Sequence, residues 1–199
     1  MPLAGIAYHK PAPNGLTQIH NNEDNNMKKL LLVIDMQNDF ITGTLGSAQA
    51  AGILPALNAK IRAHKQDGSK IIFTRDTHGE DYLTTQEGRY LPVPHCIEGS
   101  RGHALAEGLD CTSGEVFDKP QFGSLELAEL VAGGGFDEVE LCGVCTDICV
   151  VSNALILKAR LPETKITVDG ACCAGVSEQS HNAALLTMKM CQVNVENYE

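Results

Sequence analysis

Leu30-Leu31-Leu32-Val33-Ile34-Asp35 (LLLVID) decides the fold. Its apolar residues run without interruption and leave no polar side for water. A strand covered on both faces reads this way, and that environment belongs to parallel sheets. Working outward, Lys70–Thr74 (KIIFT), Glu115–Asp118, Glu138–Cys142 (EVELC), Lys165–Val168 and Gln192–Val195 predict further strands. Ile53, Leu54, Leu57 and Ile61 recur at helical spacing and predict a helix over 48–65. Helices are also expected over 124–131, 146–160 and 177–190, with Ser124 and Ser177 as caps. Gly133-Gly134-Gly135 should stop the first of these. Strands alternating with helices mean a layered α/β domain with a parallel sheet and right-handed crossovers. Residues 76–113 are polar and rich in Gly and Pro, and a loop that long usually carries function.

Composition narrows the classes. The chain has 199 residues, 43% of them hydrophobic and 20% charged, which fits one globular domain. Its 15 basic and 25 acidic side chains give a formal charge of −10. That balance argues against a general nucleic-acid or anionic-membrane binder. No apolar run approaches the ~18 residues of a membrane span. The eight cysteines are too sparse for a small disulfide scaffold, and Cys142, Cys145, Cys149, Cys172 and Cys173 lie in or beside apolar segments. Residues 1–26 lack the apolar stretch of a secretory signal. A cytoplasmic protein with reduced thiols is therefore expected. The same segment is rich in Pro, Asn and Gly and reads as a flexible tail or upstream extension. Met27 would be a natural start, with the domain over 27–199.

Ligand sites in such sheets lie beyond the carboxyl ends of the strands. Reactive residues stand there. Asp35 ends the first strand, Asp76 and His78 follow the second, Lys119 follows the third, and Cys149 opens the helix after the fourth. A thiol at a helix N-terminus beside a cation has its pKa lowered, which makes a nucleophile. Asp35 could take the thiol proton and return it to a leaving amine. Backbone N–H groups of the 143–149 turn could hold an oxyanion. Each residue also has a plain reading: Asp35 as a turn cap, Lys119 as a solvated charge, Cys149 as a small buried hydrophobe.

IDMQNDF (34–40), TRDTH (74–78), PHCIEG (94–99), FDKPQFGS (117–124) and CGVCTDICV (142–150) resemble, in order, the motifs of the isochorismatase-like cysteine hydrolases, and within them the nicotinamidases. The resemblance covers about 28–195. It implies a three-layer α-β-α sandwich around a six-stranded parallel sheet. It implies a catalytic triad of Asp35, Lys119 and Cys149. It also implies a cis peptide between Val144 and Cys145, with an oxyanion hole from the backbone N–H of Cys145 and Cys149. Cys145 stands where Ala is commoner. Family members are often dimers or tetramers, so a homo-oligomer is expected.

Asp76, His78 and His95 match the metal ligands of metal-binding nicotinamidases. Carboxylate and imidazole donors suit zinc, iron or manganese. Otherwise Asp76 caps a turn and both histidines are surface groups. His103 and His181 read as surface. A cluster site built on Cys142, Cys145 and Cys149 fits no standard spacing. For the substrate ring, Phe40 matches one aromatic position of the family. The other is often Trp, and this chain has none, with Val93 or its neighbours standing there. Tyr82 and Tyr90 lie in the same loop as substitutes. The expected substrate is a small amide, nicotinamide first. Alternatives are a carbamoyl, ureido or maleamate-like compound, or a non-catalytic binding protein on the same scaffold.

Overall fold

The computed structural model describes residues 27–197. The tail expected over 1–26 lies outside the described residues. Six strands run β1 (Lys29–Ile34), β2 (Lys70–Asp76), β3 (Glu115–Lys119), β4 (Glu138–Val144), β5 (Lys165–Ala174) and β6 (Asn194–Glu196). They form one all-parallel sheet in the order β3-β2-β1-β4-β5-β6. The direction of travel reverses between β1 and β4, which makes their carboxyl ends the switch point of the sheet. Leu30 through Ile34 are wholly buried. Each such side chain contributes about 1.5–3 kcal/mol relative to exposure.

Helices α1 (Asn38–Ile41), α2 (Ala48–Gly52), α3 (Leu54–Gln66), α4 (Gln86–Tyr90), α5 (Leu125–Gly134), α6 (Val151–Arg160) and α7 (Glu178–Met190) supply the outer layers. Helix α3 crosses from β1 to β2 in one direction, while α5, α6 and α7 cross between later strands in the other. Right-handed crossovers put these two groups on opposite faces, giving three layers. Helices α5, α6 and α7 pack in series along their face.

Local chemistry explains the departures from expectation. The helix expected over 48–65 is two helices, α2 capped by the Ser47 hydroxyl and α3 with Pro55 in its first turn. Proline cannot supply the N–H a continuous helix needs there. Strand β5 runs past Val168 to Ala174, through Asp169-Gly170, which as a pair resembles a turn. Asp169 is accommodated because Lys60 pairs with it at 2.9 Å and Asn197 donates to it at 2.7 Å. Helix α5 runs through Gly134 and ends on Gly135, whose φ of 62° suits glycine. The segment 146–160 begins as a π-wound turn, Thr146–Val150, before α6 takes over. Gly143 has φ 118°, and a Cβ there would lie 2.1 Å from the Ile34 carbonyl oxygen. Only glycine lets β4 approach β1 so closely at the switch point.

Candidate active site

The site is built where β1, β2, β3 and β4 end. Asp35 leaves β1 with φ 48°, a left-handed backbone that Asp tolerates better than most residues. Thr74 on β2 receives the Asp35 N–H at 3.1 Å and donates its hydroxyl to Asp35 Oδ1 at 2.6 Å. Lys119 closes β3, and its Nζ lies 2.6 Å from Asp35 Oδ2. The same ammonium is 3.6 Å from Cys149 Sγ and 3.6 Å from Asp76 Oδ1, and it donates to the Gln121 carbonyl at 2.9 Å. Asp35 and Lys119 are both 0% exposed. The fold thus brings Asp35, Lys119 and Cys149 together. The Val144–Cys145 peptide is cis.

The charges correct one expectation. A helix start and a cation should lower the Cys149 thiol pKa. Burial instead pushes it well up, the Asp35 charge adds to that, and Lys119 only opposes. Burial also raises the Asp35 carboxyl above its usual range, against Lys119. Burial and the Asp35 charge thus favour the protonated form of the Cys149 sulfur, and burial makes the Asp35 carboxylate more basic than usual.

Beside the triad, His78, His95 and Asp76 converge with Glu87 of α4. One ligand atom from each lies within 4.8 Å of the others. His78 Nε2 is 2.9 Å from Asp76 Oδ2 and 3.6 Å from Glu87 Oε1. His95 Nε2 is 3.6 Å from Asp76 Oδ2 and 3.8 Å from Glu87 Oε1. Glu87 Oε1, which faces both imidazoles, is buried without a hydrogen-bond partner, a costly state that a cation would relieve. His95 Nδ1 lies 2.8 Å from the Val93 carbonyl, so it donates there and leaves Nε2 a free lone pair. Two imidazoles and two carboxylates fit a divalent ion of the zinc, iron or manganese kind. Glu87 escaped sequence analysis because it is one acid among several in a long loop.

Other side chains were also hidden. Gln37 donates to the Asp76 and His103 carbonyls at 2.9 Å each, and accepts from the Asp76 N–H at 2.7 Å. Asn38 accepts from the Glu107 N–H at 3.1 Å, and Asp39 accepts from the Cys96 N–H at 2.8 Å. These residues of the 34–40 block stitch the 76–113 loop to the sheet. Nor are His103 and His181 free surface groups. His103 is buried with Nε2 2.9 Å from the Thr77 hydroxyl, and half-buried His181 has Nδ1 2.8 Å from the Thr146 hydroxyl. Both are drawn in by hydroxyl partners distant in sequence.

A cavity of about 440 Å³ opens above Cys149. Phe40, Leu91, Phe122, Ile148 and Val176 give it apolar walls, and Cys145, Asp76, Glu87 and His95 reach it. Among the described residues no Lys or Arg lines it. Phe40 is thus a wall residue. Val93 is not among the lining side chains and acts instead through its carbonyl on His95. Tyr82 is buried behind both imidazoles, its ring 4.7 Å from His78 and 5.0 Å from His95, with its hydroxyl on the Leu91 carbonyl. Tyr90 does line the cavity, and 86% of its surface is exposed. A larger open cleft of about 760 Å³ shares Glu87, Tyr90 and Phe122 but does not reach the triad.

The isochorismatase domain model matches residues 29–198. The chain belongs to the isochorismatase family. Among family members, the nicotinamidase/pyrazinamidase of Mycobacterium tuberculosis is 27% identical over 183 residues, which covers 84% of this chain and 97% of that protein. A nicotinamidase/pyrazinamidase structure from Bacillus subtilis superposes with a TM-score of 0.77 at 26% identity, covering 86% of this chain and all of that one. The pyrazinamidase of Pyrococcus horikoshii, solved in complex with zinc, gives 0.73 at 26% identity over 84% of this chain and 98% of its own. The six-stranded parallel architecture is shared with these relatives. No helix among the described residues is long and apolar enough to cross a membrane.

Proposed function

We propose that this protein is a cysteine amidohydrolase that converts a small neutral aromatic amide, nicotinamide first, to its acid and ammonia. The observation that carries this reading is Cys149 on the wall of a largely apolar cavity, with the buried Asp35 and Lys119 pair behind its sulfur. In the first half-reaction Asp35 takes the Cys149 proton and the sulfur attacks the amide carbonyl. The backbone N–H groups of Cys145 and Cys149 receive the oxyanion. Asp35 then protonates the departing ammonia, leaving a thioester. In the second half, water attacks the thioester while Asp35 accepts its proton and returns it to sulfur. Lys119 balances the negative charge that gathers on Asp35 and sulfur. A divalent ion held by Asp76, His78, Glu87 and His95 would supply a Lewis acid for a ring nitrogen of the substrate.

The lining favours this substrate class over the alternatives. A maleamate-like amide carries a carboxylate, and no Lys or Arg on the described cavity wall answers it. A non-catalytic scaffold has no use for a buried Asp-Lys-Cys cluster. Converting nicotinamide to nicotinate would return the pyridine ring to NAD synthesis.

The test is ammonia release from nicotinamide, pyrazinamide, maleamate and a carbamoyl compound by metal-loaded protein. Cys149→Ala should lower turnover by on the order of a thousandfold or more while the fold stays intact. Amidase activity retained in that variant would refute the nucleophile. Activity confined to maleamate would refute the substrate class.

A further inference from the structure

One buried side chain near the nucleophile takes no part in these steps. Asn153 lies in the first turn of α6, four residues after Cys149, and is 1% exposed. Asparagine is a poor helix former, and a buried amide needs partners for both ends. Asn153 finds all of them across two segments. Its Oδ1 accepts the Ser124 N–H at 3.1 Å. Its Nδ2 donates to the Phe122 carbonyl at 2.9 Å and to the Cys149 carbonyl at 2.8 Å.

The loop it grips follows Lys119 directly. Within that loop the Gln121 carbonyl receives the Lys119 ammonium at 2.9 Å, and Phe122 forms part of the cavity wall. Gly123 lets the loop lie against α6, since a Cβ there would stand 2.6 Å from Ile156 Cδ1. One amide therefore joins the nucleophile's own carbonyl to the loop that fixes the cation and the wall.

We propose that Asn153 is a positioning residue that sets the Lys119 ammonium against the Cys149 sulfur and holds Phe122 over the substrate. This rests on the reading of Cys149 as nucleophile. Lys119 ends a flexible four-carbon stem, so its place depends on what its ammonium touches. Asp35 at 2.6 Å and the Gln121 carbonyl at 2.9 Å are its shortest oxygen contacts, and Asn153 ties Phe122 and Ser124, just beyond Gln121, to the Cys149 carbonyl. Misplacement by about 1 Å would cost on the order of 100-fold in rate.

The test needs no substrate. Peptide-resolved alkylation of Cys149 by iodoacetamide is timed in wild type, Asn153→Leu and Asn153→Asp, each checked for fold by circular dichroism. Asn153→Asp keeps the acceptor for Ser124 but turns the donor facing two carbonyls into an acceptor. The same substitutions are repeated with Lys119→Met. A residue acting through Lys119 should change the alkylation rate about fivefold or more with Lys119 present and by less than about twofold without it. Equal effects in both backgrounds would overturn the proposal. If Asn153→Leu does not fold, Asn153→Asp carries the comparison. In metal-loaded enzyme, kcat on nicotinamide should fall roughly 10–100-fold with a smaller change in KM. Coupled alkylation in a protein that releases no ammonia from any amide would keep Asn153's role and sink the substrate reading instead.

Discussion

Asp35 and Lys119, proposed above as catalytic, bear on stability as well. Both are fully buried and paired at 2.6 Å. Removing one partner of such a pair strands the other charge in a poorly solvating interior. Asp35→Asn should therefore destabilise the fold by about 3–5 kcal/mol as well as abolish turnover. Urea denaturation of the single variant and of Asp35→Asn with Lys119→Met separates the two effects. The double variant should regain most of the lost stability, because the two charges paired at 2.6 Å are removed together and only the longer 3.6 Å contact of Lys119 with Asp76 is lost besides. A double variant as unstable as the single one would contradict the argument. The site thus gives up some stability to keep a cation beside sulfur.

At the scale of elements, α3 is fastened to the sheet by charge as well as by Leu57 and Ile61. Lys60 pairs with Glu140 of β4 and with Asp169 of β5, and His64 Nε2 lies 3.0 Å from Glu140. Burial works against ionising Glu140, but the bonds from His64 and Lys60 outweigh it and hold its carboxyl below the usual range. Asp169 is likewise lowered, by Asn197 and Lys60 against burial. A depressed native pKa stabilises the fold above the unfolded carboxylate value of about 4 and ceases to do so as pH falls through the native value. Stability should therefore drop as pH falls below about 5 and on through the lowered native values. Lys60→Met should flatten that drop, measured by chemical denaturation across the range. An unchanged slope in the variant would place the acid sensitivity elsewhere. Strand β4 also carries Gly143, so the fastening of α3 and the geometry of the candidate site share one element.

At the scale of the molecule, Asp76 and His78 come from the end of β2 and its sequel, while Glu87 and His95 come from the long loop. A cation bound there would join the loop to the sheet and stabilise the native state by mass action. At a free concentration of 100 times Kd the gain is about 2.7 kcal/mol. For a domain of this size that corresponds to roughly 5–10 °C in Tm. Thermal melts with and without zinc, after chelation, check this. Glu87→Gln should bind zinc on the order of 10–100-fold more weakly and shift less at the same concentration. No zinc-dependent shift in wild type would remove the metal from the site.

Much of this was legible in residue order. LLLVID announces a strand with both faces covered, and Asp35, Asp76, Lys119 and Cys149 each stand at the end of an apolar run or the start of a helix. Those positions are local properties of the chain, so the backbone's own periodicity locates them. Glu87, Gln37 and Asn153 carry no such mark. Their roles come from partners 39 residues away for Gln37 and Asp76, and 29 or more for Asn153 and its loop. The sign of the Cys149 shift was hidden for the same reason. A helix start and a lysine are visible in sequence, but burial is a sum over neighbours from every layer. Residue order by itself marked the buried parallel strands and placed Asp35, Asp76, Lys119 and Cys149 at or just beyond their ends. Tertiary structure alone decided the rest of the cavity wall, the fourth candidate metal ligand and the direction of the thiol's shift, because distance and desolvation exist only once distant segments have packed.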